Sequence, residues 1–252
     1  MLRNLTFLAA ATLLALTNLS VTAAAADLKA KTIVLVHGAF ADGTSWHKVI
    51  PLLEKAGLKV IAVQNPCESL AGDVAFTKRA LRSAEGPVVL VGHSWGGVVV
   101  TEAGNDAKVS SLVYVAAYAP DSGQSAIDIT SKYPQPKGRN SFIKDQDGFL
   151  KISDEGIDKY FAAGLTRAEK RIVAVVQGGF HVSAPATKVS RAAWREKPTF
   201  MVVATKDDII SPLLQKDQVA LAKAKSVEVP SGHVAMLSHA REVADLILAA
   251  AR

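Results

Sequence analysis

Cysteine is all but missing from this chain: Cys67 is the only one among 252 residues. An intrachain disulfide is therefore excluded in any redox compartment. No Cys/His cluster has zinc-ligand spacing, so no metal or organic cofactor is expected. Cys67 follows Asn65-Pro66 and reads as structural. Dense basic runs are also lacking. The formal net charge is +6, but Lys and Arg are scattered and no aromatic residues interleave with them. That pattern is solvated surface charge and argues against a nucleic-acid partner. Internal repeats and low-complexity stretches are absent after residue 26. With 49% hydrophobic and 21% charged residues the composition is globular, not disordered.

A membrane-length apolar run is lacking as well. Leu5 to Leu19 is apolar but short, and Thr12, Thr17 and Asn18 interrupt it. Met1-Leu2-Arg3-Asn4 precedes it, and Ala23-Ala24-Ala25-Ala26 follows, just before Asp27. A positive start, an apolar middle and a small-residue end are the parts of a secretory signal peptide. Residues 1–26 are read as that peptide, cut between Ala24 and Asp27, and the protein as exported to the periplasm or the medium. An uncleaved membrane anchor is the competing reading. Residues 27–252 are expected to form one domain.

What the chain does have is alternation. Thr32–Val36, Lys59–Val63, Pro87–Val91, Ser111–Val115 and Thr199–Ala204 are short apolar runs, and Ser226–Val229 is a shorter one. Such runs fit strands covered on both faces. Helical patterns lie between them, over Ser45–Ala56 (with Pro51 as a kink or break), Asp73–Ala84, Trp95–Gly104, Pro212–Ala224 and Ser238–Ala251. The fold class is α/β: a mostly parallel sheet of about six strands flanked by helices, with right-handed crossovers. Residues 120–197 break the rhythm and are too long for a simple loop. Helical patterns near Asp154–Ala163 and Thr166–Gln177 suggest a small helical cap.

Gly92-His93-Ser94-Trp95-Gly96 has the form Gly-x-Ser-x-Gly, which arises by composition alone in roughly one such chain in fifteen. Its position is what makes it informative. It follows a strand and precedes a helix, where small residues on both sides of Ser94 allow a sharp turn. A serine hydroxyl is a poor nucleophile and needs a base, which in turn needs an orienting carboxylate. His233 follows the last strand, at a loop where catalytic groups collect in open α/β sheets. His239 reads as a surface or packing residue, and His181 as part of the cap. Asp207 and Asp208 both follow the strand Thr199–Ala204, and either carboxylate is a candidate acid. The oxyanion of an acyl transfer needs preorganised N–H donors. Trp95, next to the nucleophile, is one candidate. Ala39 in His37-Gly38-Ala39-Phe40 is the other, with Phe40 as its alternative. His37 reads as a brace for that loop.

On these residues the chain resembles the α/β-hydrolase superfamily, in the branch of small bacterial esterases, plant methylesterases and hydroxynitrile lyases. The resemblance rests on His37-Gly38-Ala39, Trp46 to Leu53, Gly57-Leu58-Lys59-Val60, Gly92 to Gly97, Asp207 to Pro212 and Gly232-His233. It covers about Lys31 to Leu248 and is weakest in the cap. It implies a Ser94–His233–Asp207 triad, because alignment through Ile210 and Pro212 selects Asp207; a register shift of one selects Asp208. The lyases of this branch carry a hydroxyl residue where Gly38 stands and a lysine where Val234 stands. Their absence here favours ester hydrolysis. The expected activity is cleavage of a small carboxylic ester through an acyl-enzyme. Other acyl transfer, perhydrolysis or lyase chemistry on the same triad is the alternative, and a non-catalytic exported binding protein the third. Phe142, Phe149, Tyr160, Phe161, Phe180 and Trp194 are candidates for a pocket lining or a cap core.

Overall fold

The structure, a computed structural model, describes residues 28–252, so the expected signal peptide lies outside the described residues. Six strands form one all-parallel sheet: β1 (Thr32–Val36), β2 (Lys59–Val63), β3 (Val88–His93), β4 (Val109–Val115), β8 (Thr199–Ala204) and β9 (Lys225–Val229), in the order β2-β1-β3-β4-β8-β9. Every residue of β1, β3 and β8 is buried. These are the continuous apolar runs, and burial on both faces is what such a run requires. The edge strands β2 and β9 expose Lys59, Lys225 and Glu228, charges that discourage further strand pairing.

Helices α1 (Ile50–Lys55), α2 (Leu70–Ser83), α3 (Gly96–Ala103) and α7 (Pro212–Leu221) lie in the crossovers, and α8 (Ala235–Ser238) and α9 (Ala240–Ala250) follow the last strand. Helix α1 packs on α9, and α2 packs on α3. The pattern over Ser45–Ala56 is broken into a 3-10 turn, Gly43–Trp46, and α1, with Pro51 in the first turn of α1. That is the place where a missing N–H costs nothing. The C-terminal pattern is likewise split, with His239 in a non-helical conformation between α8 and α9.

The cap contains helices α4 (Ala126–Thr130), α5 (Asp154–Gly156) and α6 (Arg167–Val175), and a π turn over Ile157–Phe161. It also contains a three-stranded antiparallel sheet, β5 (Phe142–Lys144), β6 (Phe149–Ile152) and β7 (Phe180–His181), which the sequence reading does not include. The β5–β6 hairpin turns through Asp145 to Gly148. The Asp145 carboxylate accepts from the N–H groups of Asp147 and Phe149, and Gly148 has φ +87°. Asp147-Gly148 is a turn signal, but strands of two to four residues give too little periodicity to register. Among the described residues no helix is long and apolar enough to cross a membrane.

Candidate active site

The site is built at the C-terminal ends of β1, β3, β8 and β9. Strand β3 runs into Ser94, whose φ is +52°. That left-handed conformation costs a non-glycine residue about 1–2 kcal/mol. It is held because the chain is pressed tightly on both sides. A Cβ on Gly92 would lie 2.5 Å from the Gly96 carbonyl oxygen, and one on Gly96 would lie 2.5 Å from the Val36 carbonyl oxygen. The turn therefore needs glycine at both positions and aims the serine hydroxyl out of the sheet.

His233 stands four residues beyond β9 and Asp207 three beyond β8. The His233 Nε2 to Ser94 Oγ distance is 2.9 Å, and His233 Nδ1 lies 2.9 Å from Asp207 Oδ2. A carboxylate only accepts, so Nδ1 carries the proton toward Asp207 and Nε2 is left to accept from Ser94. The chain is shielded: Ser94 is 6% exposed, Asp207 3% and His233 0%. Asp207 has every acceptor position engaged. Its Oδ1 accepts from the N–H groups of Ile209 (2.8 Å) and Ile210 (2.9 Å), and its Oδ2 also accepts from Gln215 Nε2 (3.0 Å). Asp208 is half-buried and makes no such contact; its carbonyl instead accepts from the Gly138 N–H. Of the two candidate aspartates, Asp207 is the one whose carboxylate lies beside His233.

Ala39 and Trp95 face the same cavity as Ser94 and His233. Among the described residues neither backbone N–H has a protein acceptor. His37 braces the loop of Ala39: Nδ1–H donates to the Gly38 carbonyl (2.8 Å) and Nε2 accepts from the Asn65 N–H (2.9 Å). Burial pushes its pKa down, which keeps the ring neutral.

Three supporting residues escape the sequence reading. His93, fully buried, donates from Nε2 to the His233 carbonyl (3.1 Å), and its ring lies 4.7 Å from that of His233. Burial, and next the neighbouring His233, hold it well below the usual histidine range. Asp73, 0% exposed, accepts from the Trp95 indole N–H (2.7 Å) and the Cys67 N–H (2.8 Å). Burial raises its pKa, and the Trp95 bond only partly offsets this. Gln215 cross-links Asp207 to the end of β8 by accepting from the Ala204 N–H (2.9 Å). In sequence Asp73 and Gln215 look like ordinary helix-surface residues. His93 had a signal, its place beside Ser94.

The catalytic cavity is small, about 50 Å³. Phe142, Phe161 and Phe180 line it together with Phe40. Trp194 instead bonds the Pro120 carbonyl through Nε1, Phe149 packs on His181 and Tyr160 packs, half-buried, against the core, so three of the six aromatics line the cavity and three do not. A larger apolar cavity of about 260 Å³ begins on the far side of Phe40 and Phe161 and is closed by Val173, Val176, Val234 and Leu237. It does not reach Ser94. Among the described residues no three His, Cys, Asp or Glu side chains converge on a metal position.

A family model for the alpha/beta hydrolase family matches residues 33–246. The chain is 32% identical over 124 residues to a carbendazim hydrolyzing esterase of Nocardioides sp. (strain SG-4G), covering 44% of this chain and 51% of the relative. It is 30% identical over 120 residues to an alpha-hydroxynitrile lyase of Arabidopsis thaliana, covering 42% and 46%. The matches thus span about half the length of these curated relatives. The solved structure of polyneuridine aldehyde esterase superimposes with a TM-score of 0.73 at 22% identity, over 87% of this chain and 98% of that one, which is a likeness of fold.

Proposed function

The chain belongs to the alpha/beta hydrolase family, and on that premise we propose that it is a serine hydrolase that cleaves a small carboxylic ester. The observation that carries this reading is the continuous Asp207–His233–Ser94 chain, with both contacts at 2.9 Å and all three groups buried. His233 Nε2 takes the Ser94 proton as Oγ attacks the ester carbonyl. The Ala39 and Trp95 N–H groups hold the oxyanion. His233 then protonates the leaving alcohol. Water, deprotonated by the same histidine, attacks the acyl-enzyme and releases the acid. Asp207 fixes the tautomer throughout. The esterase among the relatives supports this reaction.

Hydroxynitrile lysis is disfavoured at one atom position. A Cβ on Gly38 would lie 2.7 Å from the Ser94 Cβ and 3.0 Å from His93 Nδ1, so a hydroxyl-bearing residue has no room there. The decisive test is hydrolysis of p-nitrophenyl esters of graded acyl length, beside Ser94→Ala. Loss of about 10⁴-fold or more in kcat is expected for a residue that acts as part of such a unit. Undiminished turnover by the variant would end the proposal. Export is part of it too, supported by the pattern of residues 1–26.

A further inference from the structure

Among the described residues Arg139 is the one arginine or lysine that lines the catalytic cavity, among side chains that are otherwise largely apolar. It is half-buried, in the 3-10 turn Lys137–Ser141 that follows Pro136. No carboxylate among the described residues lies within ion-pair distance of it, and its guanidinium makes no hydrogen bond among them. A guanidinium that lines a largely apolar cavity and has no carboxylate partner is a candidate for meeting an anionic ligand group.

Its position gives the ligand a direction. Arg139, Ile127, Thr130 and Ile209 line both the catalytic cavity and an outer groove of about 370 Å³, which also carries the polar residues Ser131, Tyr133 and Gln135. The cavity therefore has two sides. On the side of Val234 and Leu237, just after His233, lies the larger apolar cavity. That cavity is walled off from Ser94, but His233 delivers its proton to the leaving oxygen, so the alcohol sits on the His233 side of the catalytic cavity, against the rings of Phe40 and Phe161. The acyl group then extends the other way, past Arg139 into the outer groove.

We propose that Arg139 is a specificity residue that recognises a carboxylate on the acyl portion, so that the preferred substrates are monoesters of dicarboxylic acids with an apolar alcohol. This rests on the ester-hydrolysis reading. A carboxylate suits the site because the planar guanidinium presents paired donors that match it. The reaction is otherwise unchanged: the ester C–O bond breaks, the Ser94 acyl bond forms and is hydrolysed, and the distal carboxylate takes no part in bond making.

The test compares the monobenzyl esters of succinic, glutaric and adipic acid with their neutral terminal amides. At least one diacid monoester should exceed its amide in kcat/KM by about 10- to 100-fold, the range for a hydrogen bond to a charged group. Arg139→Gln should erase that preference, raising KM for the acids by far more than for the amides. Equal turnover of acids and amides, or an equal loss on both in the variant, overturns the proposal. If neither series is hydrolysed, the ester reading fails and the Arg139 site is judged by calorimetry. Monobenzyl glutarate binding to Ser94→Ala that disappears when Arg139→Gln is added supports the site; no binding to either variant overturns it.

Discussion

Replacing Asp207 with asparagine changes one atom, and the structure dictates where that atom must go. Oδ1 accepts from two backbone N–H groups, Ile209 and Ile210, while Oδ2 accepts from Gln215 and His233. An amide oxygen placed at Oδ1 keeps both backbone bonds. The NH₂ then sits at Oδ2, against the Gln215 amide and the His233 ring. The opposite orientation sets the NH₂ against two backbone donors that cannot turn away. Gln215 cannot flip to relieve the first arrangement, because its Oε1 is held by the Ala204 N–H and its Nε2 also donates to the Ile210 carbonyl (3.1 Å). Each buried unpaired donor costs about 1–3 kcal/mol, so the first orientation wins by about one such group. In it the asparagine donates to His233 Nδ1, which must then be the unprotonated nitrogen. The proton moves to Nε2, facing Ser94 Oγ, and the base can no longer accept. A loss of about 10⁴ in kcat follows, or about 5.5 kcal/mol in the barrier. Initial rates on p-nitrophenyl acetate read it directly, with Asp208→Asn as the control that stays near the wild-type rate. If Asp207→Asn kept a tenth or more of the activity while Asp208→Asn lost it, the reasoning would be refuted.

Asp73 gives a stability prediction with a definite sign. Burial raises its folded pKa above the unfolded value of about 3.9, so the native state holds the proton more tightly. Its contribution to stability is therefore present in full at low pH and falls as pH rises through the window from the unfolded to the folded value. Asp73→Asn lacks a titrating group, so urea denaturation from about pH 4 upward should show the variant gaining on the wild type across that window; a constant difference would contradict this. The export proposal is checked by fractionating the expressing cells and reading the mature N-terminus by mass spectrometry. A start between Ala24 and Asp27 is expected, and an intact, cell-associated Met1 start would contradict it.

The sheet was legible because strands buried on both faces leave a compositional trace. Runs such as Thr32–Val36 and Thr199–Ala204 match β1 and β8 end to end, because no position in them faces water. The turn at Ser94 was legible for steric reasons, since only glycine fits at Gly92 and Gly96. The aspartate was half legible: neighbouring carboxylates in one loop cannot be ranked until the backbone decides which side chain turns inward. The cap was the least legible. Its β5–β6–β7 sheet is made of fragments too short for periodicity, and its π turn over Ile157–Phe161 has no sequence signature of its own. Asp73 and Gln215 were invisible for a related reason. Polar residues in helices look solvated until tertiary packing buries them.

That division of legibility follows a division of labour in the molecule. The proposed triad hangs on loops at the ends of sheet strands, and most of its supports, Gln215, His93 and two backbone amides, belong to the same layer. The cap meets the triad through Phe161, whose ring lies 5.1 Å from that of His233. Of the lining residues, Arg139, Phe142 and Phe180 come from the cap and Phe40 from the oxyanion loop. Changes in the cap can therefore reshape the cavity without touching the hydrogen bonds that set the tautomer of His233. Substitutions at Arg139 should act on KM and on the ratio between substrates, whereas substitutions at Asp207 should act on kcat for all of them. The same separation explains how one strand-and-loop frame can serve relatives named as an esterase and as a lyase. The frame fixes where a proton moves, and the cap decides which molecule is there to give or receive it.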